Sequence, residues 1–349
     1  MRLGLNLRYL GAAGTGGGPA TSAALAREAE RLGFEVLWVA EAFSSDAPSM
    51  LGWLAAQTCR IGLGSAVMQI PARSPAATAM TAMTLDLVSA GRFRLGLGVS
   101  GPQVSEGWHG VRFGQPLRRT REYVDIVRLA LRREEVRYGG EHYPLPLPGG
   151  PGRALRLGAR PLRRAIPIYL AGVGPRSIRL AGEIADGWLS VFLAPEFAGE
   201  QLSDLRAGGE LAGRELAGFD VVAAVPLVAG DDLDRIRVYT AHYLGGWGSR
   251  DQNFYNQLAV RMGYADAARA VQDHYLAGRL RAAAAAVPDT FLDRTALAGP
   301  PGRLADGIQA YADAGVTTLS LIVFPECAED GVRTLRAAAE AFDRAGVAA

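Results

Sequence analysis

Short apolar runs alternate with longer helix-like segments along this chain, and this alternation constrains the fold more than any other feature. In the first hundred residues, four apolar runs predict buried strands at residues 3–7, 36–39, 61–67 and 93–97. Segments with helical spacing separate these runs, and they begin at Thr21 or Ser22, near residue 48 and at Pro75. Strands buried on both faces and joined by helices pair in parallel through right-handed crossovers. The pattern therefore indicates an α/β fold with a parallel sheet.

The second half of the chain continues the alternation until eight strands are reached. A helix over residues 117–133 is followed by strands at 166–170, 187–191, 219–228 and 317–323. Eight strands in a chain of 349 residues predict a single (β/α)8 barrel domain over residues 1–349. Three segments are longer than a crossover needs, and we interpret them as insertions at about 100–116, 134–164 and 231–298.

A Rossmann domain is the main competing α/β fold. Its G-x-G-x-x-G fingerprint is missing after the first strand, because the glycine-rich run at residues 11–18 lacks a strand-to-helix elbow. The sequence therefore favours the barrel.

Composition excludes several classes of chemistry. All 37 basic residues are arginines, so a Schiff-base lysine, a P-loop lysine and a lysine general base are all excluded. The formal net charge of +2 argues against nucleic acid or an anionic membrane as a partner. No uncharged apolar stretch reaches the ~18 residues of a membrane span. Cys59 and Cys327 have no metal-ligand neighbours, which argues against a zinc site or disulfide framework and fits a reducing cytoplasm.

One loop concentrates reactive side chains behind a predicted strand. The apolar run at 93–97 passes into a glycine-rich turn and then into Glu106, Trp108 and His109. Ligands of parallel α/β proteins sit beyond the carboxyl ends of the strands, so this loop is a candidate site. Arg8 and Tyr9 follow the first strand, and Glu41 follows the second, at the same predicted edge.

A second candidate site is a strand–Gly-x-Gly–helix junction. Gly172, Val173 and Gly174 follow the fifth strand, and a helix begins near Pro175 with Arg176 and Arg179 in its first turns. Backbone N–H groups and the positive end of the helix dipole favour an anion at such a junction. In a chain without lysine, this is the expected phosphate cradle.

Several of these segments together resemble a known family. The segments are WVAE at 38–41, LGSAVMQIPARSP at 63–75, the loop at 98–110, and IYLAGVGPRSIRLAGEIADGW at 168–188. They resemble the bacterial luciferase-like superfamily, whose fold is a (β/α)8 barrel. The segment GVSGPQVSEGWHG at 98–110, followed by TREYVDIVR at 120–128, is most similar to its coenzyme F420-dependent oxidoreductases. The resemblance covers nearly the whole chain, including residues 245–264.

The resemblance implies a deazaflavin ring over the carboxyl-terminal mouth of the barrel. Ala66 and Val67 correspond to a non-prolyl cis peptide that backs the ring. Other positions implied to contact the cofactor are Ser100, Gly101, Gly172, Val173, Gly174, Pro175, Arg176, Ser190 and Val191. The cofactor is then coenzyme F420, with FMN as the alternative.

Hydride transfer of this kind is accompanied by the transfer of one proton, and that step needs a proton donor or acceptor near a strand end. Glu41, Glu106 and His109 are the catalytic candidates, and histidine has the pKa range to act in either direction. Alternatively, Glu41 orients the ring or pairs with Arg8, and His109 is a loop histidine bonded to backbone. Arg8, Tyr9, Trp108 and Phe192 are assigned to the substrate pocket. No spacing of His, Asp and Glu suggests a metal site.

Departures from the family pattern narrow the range of expected substrates. Where the sugar-phosphate dehydrogenases carry an acid–histidine pair, this chain has Glu41 followed by Ala42, and it lacks the lysines that bind the substrate phosphate. A sugar phosphate is therefore a poor substrate. Three hypotheses remain: an F420-dependent oxidoreductase acting on a small organic substrate, with reduction favoured; an FMNH2-dependent monooxygenase; and a cofactor-free partner subunit. A homodimer is the expected assembly.

Overall fold

Eight parallel strands close into a barrel in the computed structural model, which describes residues 1–9 and 18–348. The glycine-rich loop expected at 11–18 lies outside the described residues except for Gly18. The strands of the described residues are β1 (Arg2–Leu7), β2 (Val36–Val39), β3 (Gly62–Ser65), β4 (Met68–Gln69), β5 (Phe93–Gly98), β6 (Tyr138–Gly139), β7 (Pro144–Leu145), β8 (Ile168–Ala171), β9 (Gly187–Val191), β10 (Asp220–Val228), β11 (Leu297–Ala298) and β12 (Thr318–Val323).

Neighbouring barrel strands follow the order of the chain, β1-β2-β3-β5-β8-β9-β10-β12, and β12 returns to β1. The closing pair places Gly4 opposite Ser320, and β10 pairs with β12 so that Ala224 is also opposite Ser320. The predicted (β/α)8 barrel is therefore confirmed. The expected third strand over 61–67 is wrong at its end: β3 stops at Ser65, and the chain bends before the short β4.

Helices cover the outside of the barrel, as a parallel sheet requires. The α-helices of the described residues, including those at the barrel mouth, are α1 (Pro19–Arg31), α2 (Ala47–Ala55), α3 (Pro75–Val88), α4 (Pro102–Gly107), α5 (Pro116–Leu131), α6 (Pro175–Ile184), α7 (Ala198–Leu211), α8 (Asp234–Gly246), α9 (Phe254–Arg261), α10 (Ala265–Leu276), α11 (Leu280–Ala285), α12 (Asp289–Thr295), α13 (Pro301–Asp313) and α14 (Ala328–Ala345). Asp46 and Ser74 accept backbone N–H bonds as the N-caps of α2 and α3, which fixes where these two helices begin.

Two large aromatic side chains fill the barrel interior. The rings of Trp38 and Tyr169 meet edge to face with centroids 5.0 Å apart, and both residues are buried. Glycines on the adjacent strands make room for them. A Cβ at Gly64 would lie 2.3 Å from the Trp38 ring, and one at Gly187 would lie 2.3 Å from the Tyr169 ring. The two rings therefore form a packed floor inside the barrel.

The three segments that we interpret as insertions differ in secondary structure. Residues 100–116 contain α4, and residues 134–164 contain an antiparallel pair formed by β6 and β7. Residues 231–298 contain α8 to α12, which form an apolar cluster of their own with Phe192 and Phe324 from the barrel. This helical cluster stands beside the carboxyl ends of β9 and β12.

Within residues 1–9 and 18–348, no helix is both long and apolar enough to cross a membrane. The same residues hold no group of three or more His, Cys, Asp or Glu side chains arranged to bind a metal ion.

Candidate active site

A cleft of about 700 Å³ opens at the carboxyl ends of the barrel strands. Its floor and walls come from the strands and their carboxyl ends, with Asn6 on β1, Glu41 after β2, Val99 after β5, Ala224 on β10 and Ser320 on β12. The first residues of α5 and α6 form part of the rim, together with side chains of α8 and α9. This is the edge at which (β/α)8 barrels bind ligands, and the cleft is large enough for a cofactor and a small molecule.

All eleven positions that the resemblance assigns to the cofactor line this cleft. They are Ala66, Val67, Ser100, Gly101, Gly172, Val173, Gly174, Pro175, Arg176, Ser190 and Val191. The peptide bond between Ala66 and Val67 is cis, as expected from the resemblance. A Cβ at Gly98 would lie 2.6 Å from Val67 Cγ2, so glycine at that position on β5 lets the bend pack closely.

The predicted phosphate cradle has the expected backbone form. Helix α6 begins at Pro175 after the N-cap Gly174, and the Gly174 N–H donates to Ser177 Oγ at 3.2 Å. A Cβ added at Gly174 would have only Ser177 Oγ within 4 Å, at 4.0 Å, so the space beside this backbone is open. Arg176 lines the cleft, whereas Arg179 points away and pairs with Asp204 at 2.9 Å.

Two further arginines line the cleft. Arg261, at the end of α9, donates to the Val173 carbonyl at 3.0 Å and so lies beside the cradle. Arg118, in the first turn of α5, pairs with Glu122 at 3.4 Å and with Glu141. Arg176 and Arg261 supply positive charge for a bound anion in a chain without lysine, whereas the charge of Arg118 is offset by its two carboxylate partners.

Glu41 is buried in the cleft wall and forms an ion pair with Arg73. Arg73 donates to both carboxylate oxygens, at 2.6 and 2.8 Å, and the backbone N–H groups of Ala47 and Gln69 donate at 2.9 and 3.2 Å. The alternative in which Glu41 pairs with Arg8 is therefore wrong. Both oxygens of the carboxylate are thus occupied by four donors, two of them on a cation, which fixes Glu41 in the cleft wall.

His109 reaches the cleft only through Gln69. The His109 Nε2 and Gln69 Oε1 atoms are 2.8 Å apart, and Gln69 Nε2 donates to the Glu41 carbonyl at 3.3 Å. Because Oε1 is an acceptor in this arrangement, the ring nitrogen carries the proton. The pKa of His109 is lowered, mainly by burial. The nearby Glu41 acts to raise this pKa and the nearby Arg73 to lower it, and both effects are smaller than that of burial. His109 is therefore a neutral hydrogen-bond donor to the cleft wall.

Besides His109, four predicted site residues lie outside the cleft lining. Glu106 is exposed on α4 and accepts the Phe113 N–H at 2.9 Å, and Trp108 is 67% exposed. These two side chains leave the cleft because α4 turns them toward solvent. Phe192 is buried behind the wall, where its ring contacts those of Tyr243 and Tyr255. Arg8 stacks over Tyr239 and Phe324, whereas its neighbour Tyr9 lines the cleft as predicted.

Sequence reasoning missed an aromatic wall that the helical segment 231–298 supplies. Its members in the cleft lining are Tyr243 and Trp247 from the end of α8 and Phe254 and Tyr255 from α9. Burial raises the pKa of Tyr243 and of Tyr255, so both are neutral phenols. The aromatic-rich sequence of this segment was visible, but nothing in it indicated that α8 and α9 fold back over the barrel mouth.

Two serine hydroxyls in the cleft lack protein partners. Ser100 Oγ and Ser320 Oγ are buried and have no hydrogen-bond partner among residues 1–9 and 18–348. Ser190 Oγ, in the same cleft, donates to the Val222 carbonyl at 3.0 Å. Ser100 also has φ of 61°, a left-handed conformation that is uncommon for serine. Buried unpaired hydroxyls are costly, so their presence in the cleft fits a bound polar ring that completes them.

Comparisons with known proteins place this cleft in a wider context. The sequence model of the luciferase-like monooxygenase family matches residues 1–318. A provisionally named coenzyme F420-dependent oxidoreductase of Mycobacterium tuberculosis is 42% identical over 330 residues, covering 91% of this chain and 94% of the relative. A 5,10-methylenetetrahydromethanopterin reductase of Archaeoglobus fulgidus is 29% identical over 295 residues, covering 83% and 85%.

A solved structure shares the fold over almost its full length. The coenzyme F420-dependent tetrahydromethanopterin reductase of Methanopyrus kandleri superposes with a TM-score of 0.80 at 23% identity. The alignment covers 97% of this chain and 98% of the other.

Proposed function

The chain belongs to the luciferase-like monooxygenase family, and we propose that within this family it is a coenzyme F420-dependent oxidoreductase. It transfers a hydride between the deazaflavin and a small organic substrate, with reduction of the substrate as the favoured direction. The relatives named for coenzyme F420 support the cofactor, since one of them is 42% identical over nearly its whole length.

The observation that carries the proposal is the single cleft that joins a ring site to an anion site. The Ala66–Val67 bend would back the flat ring, and the hydroxyls of Ser100 and Ser320 would bond its polar edge. The backbone at Gly172–Gly174, with Arg176 and Arg261 beside it, would hold the phosphate. The bound deazaflavin supplies or accepts the hydride, and the barrel mouth fixes its orientation.

We assign Glu41 and His109 to positioning rather than to proton transfer. Both oxygens of Glu41 are engaged by Arg73, and His109 donates to Gln69, so these four residues hold the wall of the cleft in one arrangement. The neutral tyrosines of α8 and α9 cover the opposite wall and reduce the access of water to the ring.

A fluorescence titration with coenzyme F420 tests the proposal, with FMN titrated in parallel. Gly174→Glu places a carboxylate beside the cradle, where we expect repulsion of the phosphate to raise the Kd at least about ten-fold. Gly174→Ala is the matched control and should stay within about three-fold, because its Cβ meets open space. Binding of FMN in preference to coenzyme F420 would transfer support to the monooxygenase hypothesis, and binding of neither would reject both.

We also propose that the protein is a cytoplasmic homodimer. Met80, Leu87 and Val88 are large apolar side chains exposed along α3, with exposures of 57%, 44% and 57%. A second copy of the chain would cover them. Sedimentation of wild type and of Leu87→Glu tests the assembly: a wild-type dimer that dissociates in the variant supports it, and a wild-type monomer rejects it. Cys59 and Cys327 are both free thiols, which suits a reducing compartment.

A further inference from the structure

Trp247, a residue of the cleft lining, carries a buried hydrogen-bond donor that no described residue satisfies. Its Nε1 is buried and has no partner among residues 1–9 and 18–348, although the residue lines the cleft. Trp188, by contrast, has a paired indole, because its Nε1 donates to the Gly172 carbonyl at 2.8 Å. The Nε1 of Trp38 also lacks a partner among the described residues, but Trp38 is packed in the barrel interior and does not line the cleft. An indole N–H can donate but cannot accept. Whatever completes Trp247 must therefore carry an acceptor atom.

The position of Trp247 is set by two structural elements. The residue is the C-cap of α8, and a Cβ at Gly101 would lie 3.9 Å from the Trp247 carbonyl oxygen. Trp247 therefore stands where the helical segment 231–298 meets the loop after β5. The segment 231–298 is inserted between strands of the barrel. A ligand contact made by this segment is therefore expected to involve the substrate, whereas the cofactor site is built mainly from the barrel itself.

The surroundings of the indole are aromatic and uncharged. Its ring lies 5.5 Å from that of Tyr243 and 6.1 Å from that of Phe43. The imidazole of His242 is 6.0 Å away, its Nδ1 is 2.6 Å from Tyr275 Oη, and burial together with Arg8 lowers its pKa, so it is neutral. The cleft-lining cations belong to other parts of the cleft, since Arg176 and Arg261 lie at the Gly172–Gly174 cradle and Arg118 pairs with Glu122 and Glu141.

We propose that Trp247 Nε1 donates a hydrogen bond to an uncharged carbonyl oxygen of the substrate, which is a flat aromatic ketone, aldehyde or enone. An anionic acceptor would be left without a counter-charge among these rings, which is unfavourable in a buried site. The aromatic wall suits a flat partner, which can pack against the faces or edges of its rings. Trp247 binds and orients the oxygen without giving up its proton. The identification of a substrate rests on the proposed function, whereas the acceptor requirement rests on the structure alone.

Binding of two matched probes to the full chain tests this proposal. The probes are 2-acetylnaphthalene and 2-ethylnaphthalene, which have similar size but only the first carries a carbonyl. We expect wild type to prefer the ketone by about five-fold, the value of one neutral hydrogen bond. Trp247→Phe should bring the ratio close to one, whereas Trp108→Phe, which alters the exposed tryptophan outside the cleft, should keep the wild-type ratio.

A second measurement uses the wild-type chain alone, so it does not depend on whether a variant folds. In the nitrogen-15 spectrum of wild type, the indole N–H resonance of Trp247 should move downfield with the ketone and stay in place with the hydrocarbon. A folded Trp247→Phe that retains the ketone preference, or an unmoved indole resonance, would overturn the proposal. Titration with coenzyme F420 keeps the two ideas separate, because wild type that fails to bind it rejects the proposed function while the indole shift still tests the acceptor.

Discussion

At the scale of single residues, Glu41 shows that a carboxylate in a binding cleft can be a structural member of its wall. Its two oxygens accept from Arg73, Ala47 and Gln69, and the residue is only 7% exposed. Removing one charge of a buried pair leaves the other uncompensated. The wall of the cleft therefore depends on this pair before any chemistry is considered.

We predict that Glu41→Gln lowers the free energy of unfolding by about 3 kcal/mol, because Arg73 loses its counter-charge and the new amide N–H group faces other donors. Urea denaturation measures the change, and an unaltered m-value would show that the native and unfolded states are comparable. Glu106→Gln is the control, because Glu106 is exposed and accepts one backbone bond. Unchanged stability with lost turnover would instead make Glu41 a proton-transfer group.

His109 gives a prediction about pH. Burial lowers its pKa in the folded protein, so the unfolded chain takes up a proton at a higher pH than the folded chain does. The stability it contributes is present above the ordinary histidine pKa of about 6.5 and is lost as the pH falls below that value. Urea midpoints between pH 8 and pH 5 should therefore fall less steeply in His109→Gln than in wild type. Trp108→Phe, which alters the neighbouring residue and no titratable group, should retain the wild-type slope; a His109→Gln slope equal to it would contradict the prediction.

At the scale of elements, the glycines of β3 and β5 decide how closely strands and side chains pack inside the barrel. A Cβ at Gly64 would lie 2.3 Å from the Trp38 ring, and one at Gly96 would lie 1.9 Å from the Ser65 carbonyl oxygen. Neither contact is possible without movement of the floor on which the cleft rests.

We predict that Gly64→Ala destabilises the protein by about 2–3 kcal/mol, because the Trp38 ring fills a closed interior and has no room to move aside. Gly199→Ala is the matched control: it lies in α7 with nothing within 4 Å of its added Cβ, so the change should be neutral or slightly stabilising. Thermal unfolding of both variants compares them. Equal midpoints for the two would show that the barrel floor is not tightly packed.

The alternation of apolar runs was sufficient to predict the barrel strands, because each run is buried on both faces and ends at a turn. Strand ends were harder to predict: the apolar run at 61–67 gave no sign that β3 stops at Ser65, where the chain bends into the cis peptide. That feature was expected only from the resemblance. The aromatic wall of α8 and α9 was not predicted, because its position depends on contacts between residues far apart in sequence.

For site residues, the sequence was informative about backbone features and less so about side chains. The cradle at Gly172–Gly174 was predicted from glycine spacing, and its residues line the cleft. Glu106 and Trp108 were predicted from proximity to a strand end, but the turn of α4 directs them to solvent. Side-chain direction depends on local helix geometry that one loop sequence does not reveal.

At the scale of the whole molecule, the two ends of the barrel have different tasks. The cleft occupies the carboxyl ends of the strands, whereas a buried polar cluster around Asp220 occupies the opposite end. Asp220 accepts from Arg2 and Thr318 at 2.8 Å each and from the Tyr169 hydroxyl at 3.0 Å. One carboxylate thereby joins β1, β8, β10 and β12, and burial and the nearby Asp220 raise the pKa of Tyr169, which keeps that phenol neutral.

We predict that Asp220→Ala lowers the free energy of unfolding by about 3 kcal/mol, because it leaves the hydroxyls of Tyr169 and Thr318 buried without an acceptor. Asp204→Ala removes a pair on the helical surface and should cost less than about 1 kcal/mol. Because Asp220 lies at the end remote from the cleft, the Kd for coenzyme F420 should stay within about two-fold of wild type as long as the variant is folded. Urea denaturation and the fluorescence titration measure the two effects on one preparation. A variant with wild-type stability would show that strand pairing and apolar packing close the barrel without this cluster. A folded variant with weakened binding of coenzyme F420 would show that the Tyr169–Trp38 floor transmits changes from one end of the barrel to the other.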